Sequence, residues 1–130
     1  MSAEFEKSTD PYFPEFIRAL PQPDSPLEGL EAWMLQTDQA MGMFFELPDG
    51  VVVSEHSHGA QWGVVLEGRL EFTIGGETKH YGPGDTYFIP AGVAHSAVIH
   101  PGYVGIDVFA DANRYAARRP PPGPGKTPAG

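Results

Sequence analysis

His56 and His58 stand two residues apart in the segment Val53-Ser54-Glu55-His56-Ser57-His58. Side chains of an extended chain alternate between two faces, so both imidazoles project to one side. Val52 and Ser54 share their parity, which suggests that this side looks inward. Two inward imidazoles with nothing to hold them are costly to bury. A divalent metal ion satisfies both at once, because neutral imidazole ligates Zn, Fe, Ni, Cu and Mn alike. The bare pair by itself is more often two exposed or hydrogen-bonded strand histidines than a metal site. Three more histidines follow, His80, His95 and His100, and there is no cysteine, so thiolate metal sites and disulfides are excluded. The sequence shows no phosphate-cradling glycine loop and no Ser–His–acid signature.

The elements that must position these histidines read as short strands. Leu70, Phe72 and Ile74 alternate with Arg69, Glu71 and Thr73, the period of a half-buried strand. Gly75-Gly76 marks a hairpin, and residues 78–81 return antiparallel. Pro83-Gly84-Asp85 turns into a strand over 86–89, and Pro90-Ala91-Gly92 into one over 95–99. Further strands are expected over 33–37, 41–47, 51–58, 61–67 and 103–110. Sixteen glycines and fourteen prolines supply the many turns that an all-β chain needs. With eight to ten strands expected, a two-sheet jelly roll or closed barrel follows.

The residues around the histidines form two spaced motifs. Gly50 precedes His56 by six positions, and Gly68 closes the segment Gln61-Trp62-Gly63-Val64-Val65-Leu66-Glu67-Gly68. Gly84, Pro90, Gly92 and His95 follow after 15 intervening residues. From about Met41 to Phe109 the chain resembles the cupin family, whose motifs run G-x5-H-x-H-x(3,4)-E-x6-G and G-x5-P-x-G-x2-H-x3-N. The resemblance implies an all-β, double-stranded β-helix barrel that binds one divalent transition metal per chain. It carries His95 over as the third imidazole ligand. Gln61 stands where the family usually has a metal-binding Glu, and only Gly59 and Ala60 separate it from His58. A Gln oxygen can ligate, and this H-x-H-x2-Q variant is similar to polyketide cyclase-like cupins, so Gln61 is taken as the fourth ligand. The alternative is that Gln61 hydrogen-bonds to a ligand without touching the metal. Zinc is the first choice, with Fe, Mn or Ni as alternatives. The family's final Asn is Ile99 here, a position that is not a metal ligand. His100 has the opposite strand parity to His95 and should point away from the metal, and His80 should be solvated near a turn.

No proton carrier can be named. Glu55 and Glu67 lie near the motif, and Tyr87, Tyr103 and Asp107 could reach the cavity, but residues of each kind are more often structural than catalytic. The implied activities include dioxygenase, isomerase, cyclase and lyase chemistry on a small organic molecule, with a non-catalytic metal-assisted binding or sensor module as the alternative. A net charge of −9 argues against nucleic acid and anionic membrane surfaces as partners. No long apolar run opens or crosses the sequence, so a cytoplasmic location is expected.

Three zones are expected along the chain. Residues 1–30 form an arm that packs on the barrel or on a partner, with a short helix beginning near Pro14. Residues 31–112 form the barrel, and the Pro/Gly-rich residues 113–130 a disordered tail. Phe13, Phe16 and Ile17 of the arm need apolar cover, and together with the family's habit of pairing sheets this suggests a homodimer.

Overall fold

The computed structural model describes residues 11–118 of the chain. One helical turn, α1 (Glu15–Arg18), precedes nine strands. These are β1 (Glu31–Gln36), β2 (Met41–Leu47), β3 (Val51–His56), β4 (Gln61–Glu67), β5 (Leu70–Ile74), β6 (Glu77–Tyr81), β7 (Thr86–Ile89), β8 (His95–Ile99) and β9 (Tyr103–Phe109). They form two antiparallel sheets, ordered β1-β2-β9-β4-β7 and β3-β8-β5-β6. Consecutive strands β3 and β4 lie in different sheets, as do β6 and β7, which is the wrapping of a jelly roll.

The alternation of the sequence fixes which face is inside. Along β2, Met41, Met43, Phe45 and Leu47 are buried while the residues between them are only half-buried. Val65 from β4, Leu70 from β5, Ile89 from β7 and Tyr103 from β9 meet them between the sheets. Each such side chain contributes about 1.5–3 kcal/mol by leaving water. Two turns depend on glycine. Gly50 (φ 68°) lies so close to the Ile99 carbonyl that a Cβ has no room, and Gly68 (φ 84°) would set a Cβ 2.9 Å from Tyr103 Cα.

The arm lies across the outer face of the five-stranded sheet. Phe13 (4% exposed) packs on Trp33 and Val104, flanked by Ile17 and Leu20, and the Arg18 guanidinium sits 4.6 Å from the centre of the Trp33 ring. The expected tail boundary at 113 is moved by the structure. The Asp24 amide donates to the Ala116 carbonyl, the Arg118 amide donates to the Gln22 carbonyl, and Pro23 pairs with Ala117. Residues 113–118 therefore return to the barrel, held by backbone bonds that low apolar content did not forbid; the rest of the expected tail, 119–130, lies outside the described residues. No helix among the described residues is long and apolar enough to cross a membrane.

Candidate metal centre

His56 reaches the interior by a bulge rather than by simple alternation. Val53 faces Ala97 and His56 faces His95, so β3 takes three steps where β8 takes two. Up to Val53 the inward residues are Val51 and Val53, whereas Val52 is 72% exposed and Ser54 is exposed too. The parity that pairs His56 with Val52 and Ser54 is thus corrected: those two face solvent, and the extra residue turns His56 onto the cavity side. His58 follows in the loop after β3, and His95 opens β8 directly opposite His56.

The three imidazoles converge. Ring centroids are 4.3 Å apart for His56 and His95, 4.7 Å for His58 and His95, and 5.2 Å for His56 and His58. Their ligating atoms all lie within 4.8 Å of one another. Each Nδ1 faces a backbone carbonyl: Ser54 for His56 at 2.9 Å, Gly59 for His58 at 2.8 Å, and Val93 for His95 at 2.9 Å. A carbonyl only accepts, so each Nδ1 carries the proton and each Nε2 presents a lone pair. His58 Nε2 and His95 Nε2 stand 3.2 Å apart, two acceptors with no hydrogen between them. Nitrogens bound at about 2.0–2.1 Å to one zinc ion stand about 2.9–3.4 Å apart between octahedral and tetrahedral angles, so the spacing suits a shared cation. Burial pushes the pKa values of His58 and His95 below the ordinary imidazole value, which keeps the rings in the neutral form that a metal requires.

A second polar group faces the same cavity. Asp107 on β9 and Tyr87 on β7 flank Gly63 on the intervening β4. A Cβ at Gly63 would collide with both side chains, so its absence lets the Tyr87 hydroxyl reach across the strand and donate to Asp107 Oδ1. Gln61 Nε2 donates to Asp107 Oδ2 at 3.0 Å. Asp107 is fully buried, and burial raises its pKa to about 7 against the opposing hydrogen bonds from Tyr87 and Gln61. Burial, then the nearby Asp107 carboxylate, also push the Tyr87 phenol well above its ordinary value. The amide nitrogen of Gln61 is committed to Asp107, which turns its carbonyl oxygen the other way, and Gln61 lines the cavity with the histidines.

Residues outside the motifs complete the cavity. Leu27 and Leu30 of the arm, with Arg114 and Tyr115 beyond β9, line its wall. The Arg114 guanidinium lies 4.6 Å from the Tyr115 ring centre and 5.9 Å from that of Phe109. Asp111 Oδ2 accepts from the Gly59 amide at 2.8 Å and fixes the loop that carries His58. Arg114, Tyr115 and Asp111 have no signal in the sequence, since they lie at or past the barrel's end and only the return of the chain brings them to the site. Of the residues weighed as proton carriers, Tyr87, Tyr103 and Asp107 line the cavity. Glu55 is exposed and Glu67 lies at the far end of β4. His100 Nε2 meets Glu71 Oε2 at 2.8 Å, and His80 is exposed on β6. Neither is a member of the imidazole group.

Residues 43–102 match the model of the cupin domain. A crystal structure of an RmlC-like cupin from Shewanella frigidimarina shares the fold with a TM-score of 0.64 and 28% identity, over 72% of this chain and 86% of that one. The chain belongs to the cupin superfamily. The structure of KdgF from Halomonas sp. matches this cupin with a TM-score of 0.62 and 27% identity, over 71% of this chain and 88% of that one. Mannose-1-phosphate guanylyltransferase ManC of Salmonella typhimurium is 35% identical over 61 residues, 47% of this cupin. That stretch is only 12% of the transferase's own length.

Proposed function

We propose that this cupin is a metalloenzyme that holds one divalent transition metal through His56, His58, His95 and the Gln61 carbonyl oxygen and acts on a small organic anion. The observation that carries the reading is the tautomer lock: three Nδ1 protons face backbone carbonyls, and three Nε2 lone pairs converge. Bound there, a metal ion supplies a Lewis acid that polarises a carbonyl or carboxylate oxygen. Zinc is the first choice, because the donors are nitrogen and oxygen and the chain offers no thiolate.

Charge points to the substrate class. Three neutral imidazoles and a neutral amide leave the metal's full positive charge for a ligand to balance. Arg114 adds a permanent cation to the cavity wall, and the wall is otherwise mainly apolar, with Phe45, Phe72 and Phe109 among its residues. A cavity volume of about 80 Å3 suits a small acid, well below the drug-sized range of about 300–1,000 Å3. In this reading Arg114 orients the anion, and Asp107 holds Gln61. Tyr103 lines the same cavity, within reach of a bound ligand.

Elemental analysis of untagged protein purified without nickel resin tests the metal. Near one ion per chain is expected, and failure to take up any of Zn, Mn, Fe or Ni on reconstitution would refute the reading. Thermal shift with small carboxylates and their neutral amides tests the ligand: acids should stabilise the metal-loaded protein, and Arg114→Gln should weaken them about tenfold. Binding of an acid with no conversion by mass spectrometry would reassign the site to metal-assisted sensing.

A further inference from the structure

A second compartment adjoins the cavity that holds the imidazole group. Its volume is about 270 Å3, against about 80 Å3 for the inner one. Leu27, Val53, His56, Arg114 and Tyr115 line both, so the two compartments meet at these side chains. Ser25, Pro26 and Ser54 line the outer compartment and not the inner. An acid small enough for the inner space alone leaves the larger space unused.

The walls of the outer compartment are fixed by hydrogen bonds within the chain. On the arm's side the Leu27 amide donates to Ser25 Oγ at 3.2 Å, and the Asp24 amide just before donates to the Ala116 carbonyl at 2.7 Å. On the side of the returning chain, Gln36 Nε2 donates to the Ala112 carbonyl at 2.9 Å and to the Tyr115 carbonyl at 3.2 Å. The Tyr115 ring packs edge-on against Phe109, with centroids 5.9 Å apart, and carries the Arg114 guanidinium 4.6 Å from its centre. A wall already held in place costs a ligand little ordering.

Charge decides what such a space accepts. Among the described residues that line it, Arg114 alone carries a permanent charge, and Arg114 stands at the junction with the inner compartment. The rest are two serines and the apolar surfaces of Pro26, Leu27, Val53 and Tyr115. A second carboxylate entering here would leave water with no further cation to meet it, whereas an uncharged chain gains by burial. We propose that the outer compartment is a subsite for the tail of the acid whose carboxylate lies in the inner one. The substrate is then a monocarboxylate with an uncharged, chiefly apolar tail, and Leu27 and Tyr115 at the junction select for that tail. This rests on the reading that the imidazole group and Arg114 receive an organic anion.

Titration calorimetry of the full, zinc-loaded chain with acetate, butanoate, hexanoate and octanoate tests the subsite. Affinity should rise about two- to fourfold per added methylene. Octanedioate, which puts a second carboxylate at the far end, should bind about tenfold more weakly than octanoate. Pro26→Trp and Ser54→Trp place a ring in the outer compartment; each should weaken octanoate about tenfold and leave zinc content and acetate affinity as in wild type. Should neither acetate nor octanoate bind the zinc-loaded protein, the proposed function itself falls, and the subsite with it. Acetate binding with no gain along the series would overturn the subsite alone. So would octanedioate binding as tightly as octanoate, or ring substitutions that weaken acetate and octanoate equally.

Discussion

Two polar groups face one cavity in this cupin, and they are built on opposite plans. In the imidazole group every Nδ1 proton is given to a backbone carbonyl, and the lone pairs are left pointing at one another. In the Gln61–Asp107–Tyr87 group the side chains satisfy each other, with both carboxylate oxygens engaged. The first arrangement leaves lone pairs that could hold a cation. The second is complete in the protein alone and serves to hold a carbonyl and a phenol in place. The difference separates a group open to a ligand from one that satisfies itself.

Removing an imidazole tests the first group, and the effect should be the largest in the molecule. His95→Ala and His56→Ala are expected to reduce bound metal from near one per chain to near zero by elemental analysis, with the fold retained. If metal content survived in both, the convergence of the three rings would have another meaning. Crowding the complete group tests the second arrangement. Gly63→Ala sets a methyl against Asp107 and Tyr87 at once, and neither belongs to a flexible surface chain. A loss of about 1–3 kcal/mol in urea unfolding is expected, the range for overpacking a core. An unchanged midpoint would mean that Tyr87 and Asp107 can part freely.

The two groups also differ in how much of them could be read from the sequence. His56, His58 and His95 sit in spaced motifs with their turn glycines, and the fold brings all three together. The strands were legible because apolar residues alternate cleanly, and β2, β4, β7 and β8 fall on the expected bounds. The β3 bulge was not, because nothing in Val53-Ser54-Glu55-His56 marks the inserted residue; its inward direction was right for His56 while the parity behind it was wrong. The Asp107 network was invisible since it joins three strands through the missing side chain of Gly63, a relation that exists only once β4 lies between β7 and β9. Arg114 fell past the expected barrel end, where backbone pairing with residues 22–24 decides the path.

The pH response of metal-free protein should set the groups apart. Asp107 has a folded pKa of about 7 against an ordinary 3.8, so between those values the folded state binds more protons than the unfolded. Stability from this group is therefore full below about pH 4 and falls as pH rises to about 7. His58 and His95 have lowered folded values, so they act with the opposite sign: the unfolded state takes protons first, and stability falls as pH drops through the ordinary imidazole range. Asp107→Asn removes the first contribution and leaves the second. Its stability relative to wild type should improve between pH 4.5 and 7.5 by on the order of 2–4 kcal/mol, whatever constant offset the lost hydrogen bonds add. Parallel pH curves for the two proteins would show that Asp107 is not carrying a burial penalty.

Gln61 links the Asp107 group to the proposed metal site, and the smallest predicted effect falls on it. Its nitrogen is held by Asp107, and the proposed role of its oxygen is to complete the metal's donor set. Replacing the amide with a carboxylate keeps the size and places a negative charge at the site. Gln61→Glu should therefore retain metal, because a carboxylate is a competent ligand for the same ions. It should weaken small carboxylate ligands, on the order of threefold to tenfold, because the metal then has less positive charge for them to balance. The new carboxylate also faces Asp107, and their mutual repulsion favours a proton on one of them, which blunts the change and keeps it below that of losing an imidazole. Gln61→Ala removes the oxygen without adding charge and should lower metal affinity with little change in the preference for acids over amides. Titration calorimetry with zinc, then with a small acid, separates the two outcomes. Were Gln61→Ala to bind both as wild type does, the amide would belong wholly to the Asp107 group, and the metal would rest on imidazoles alone.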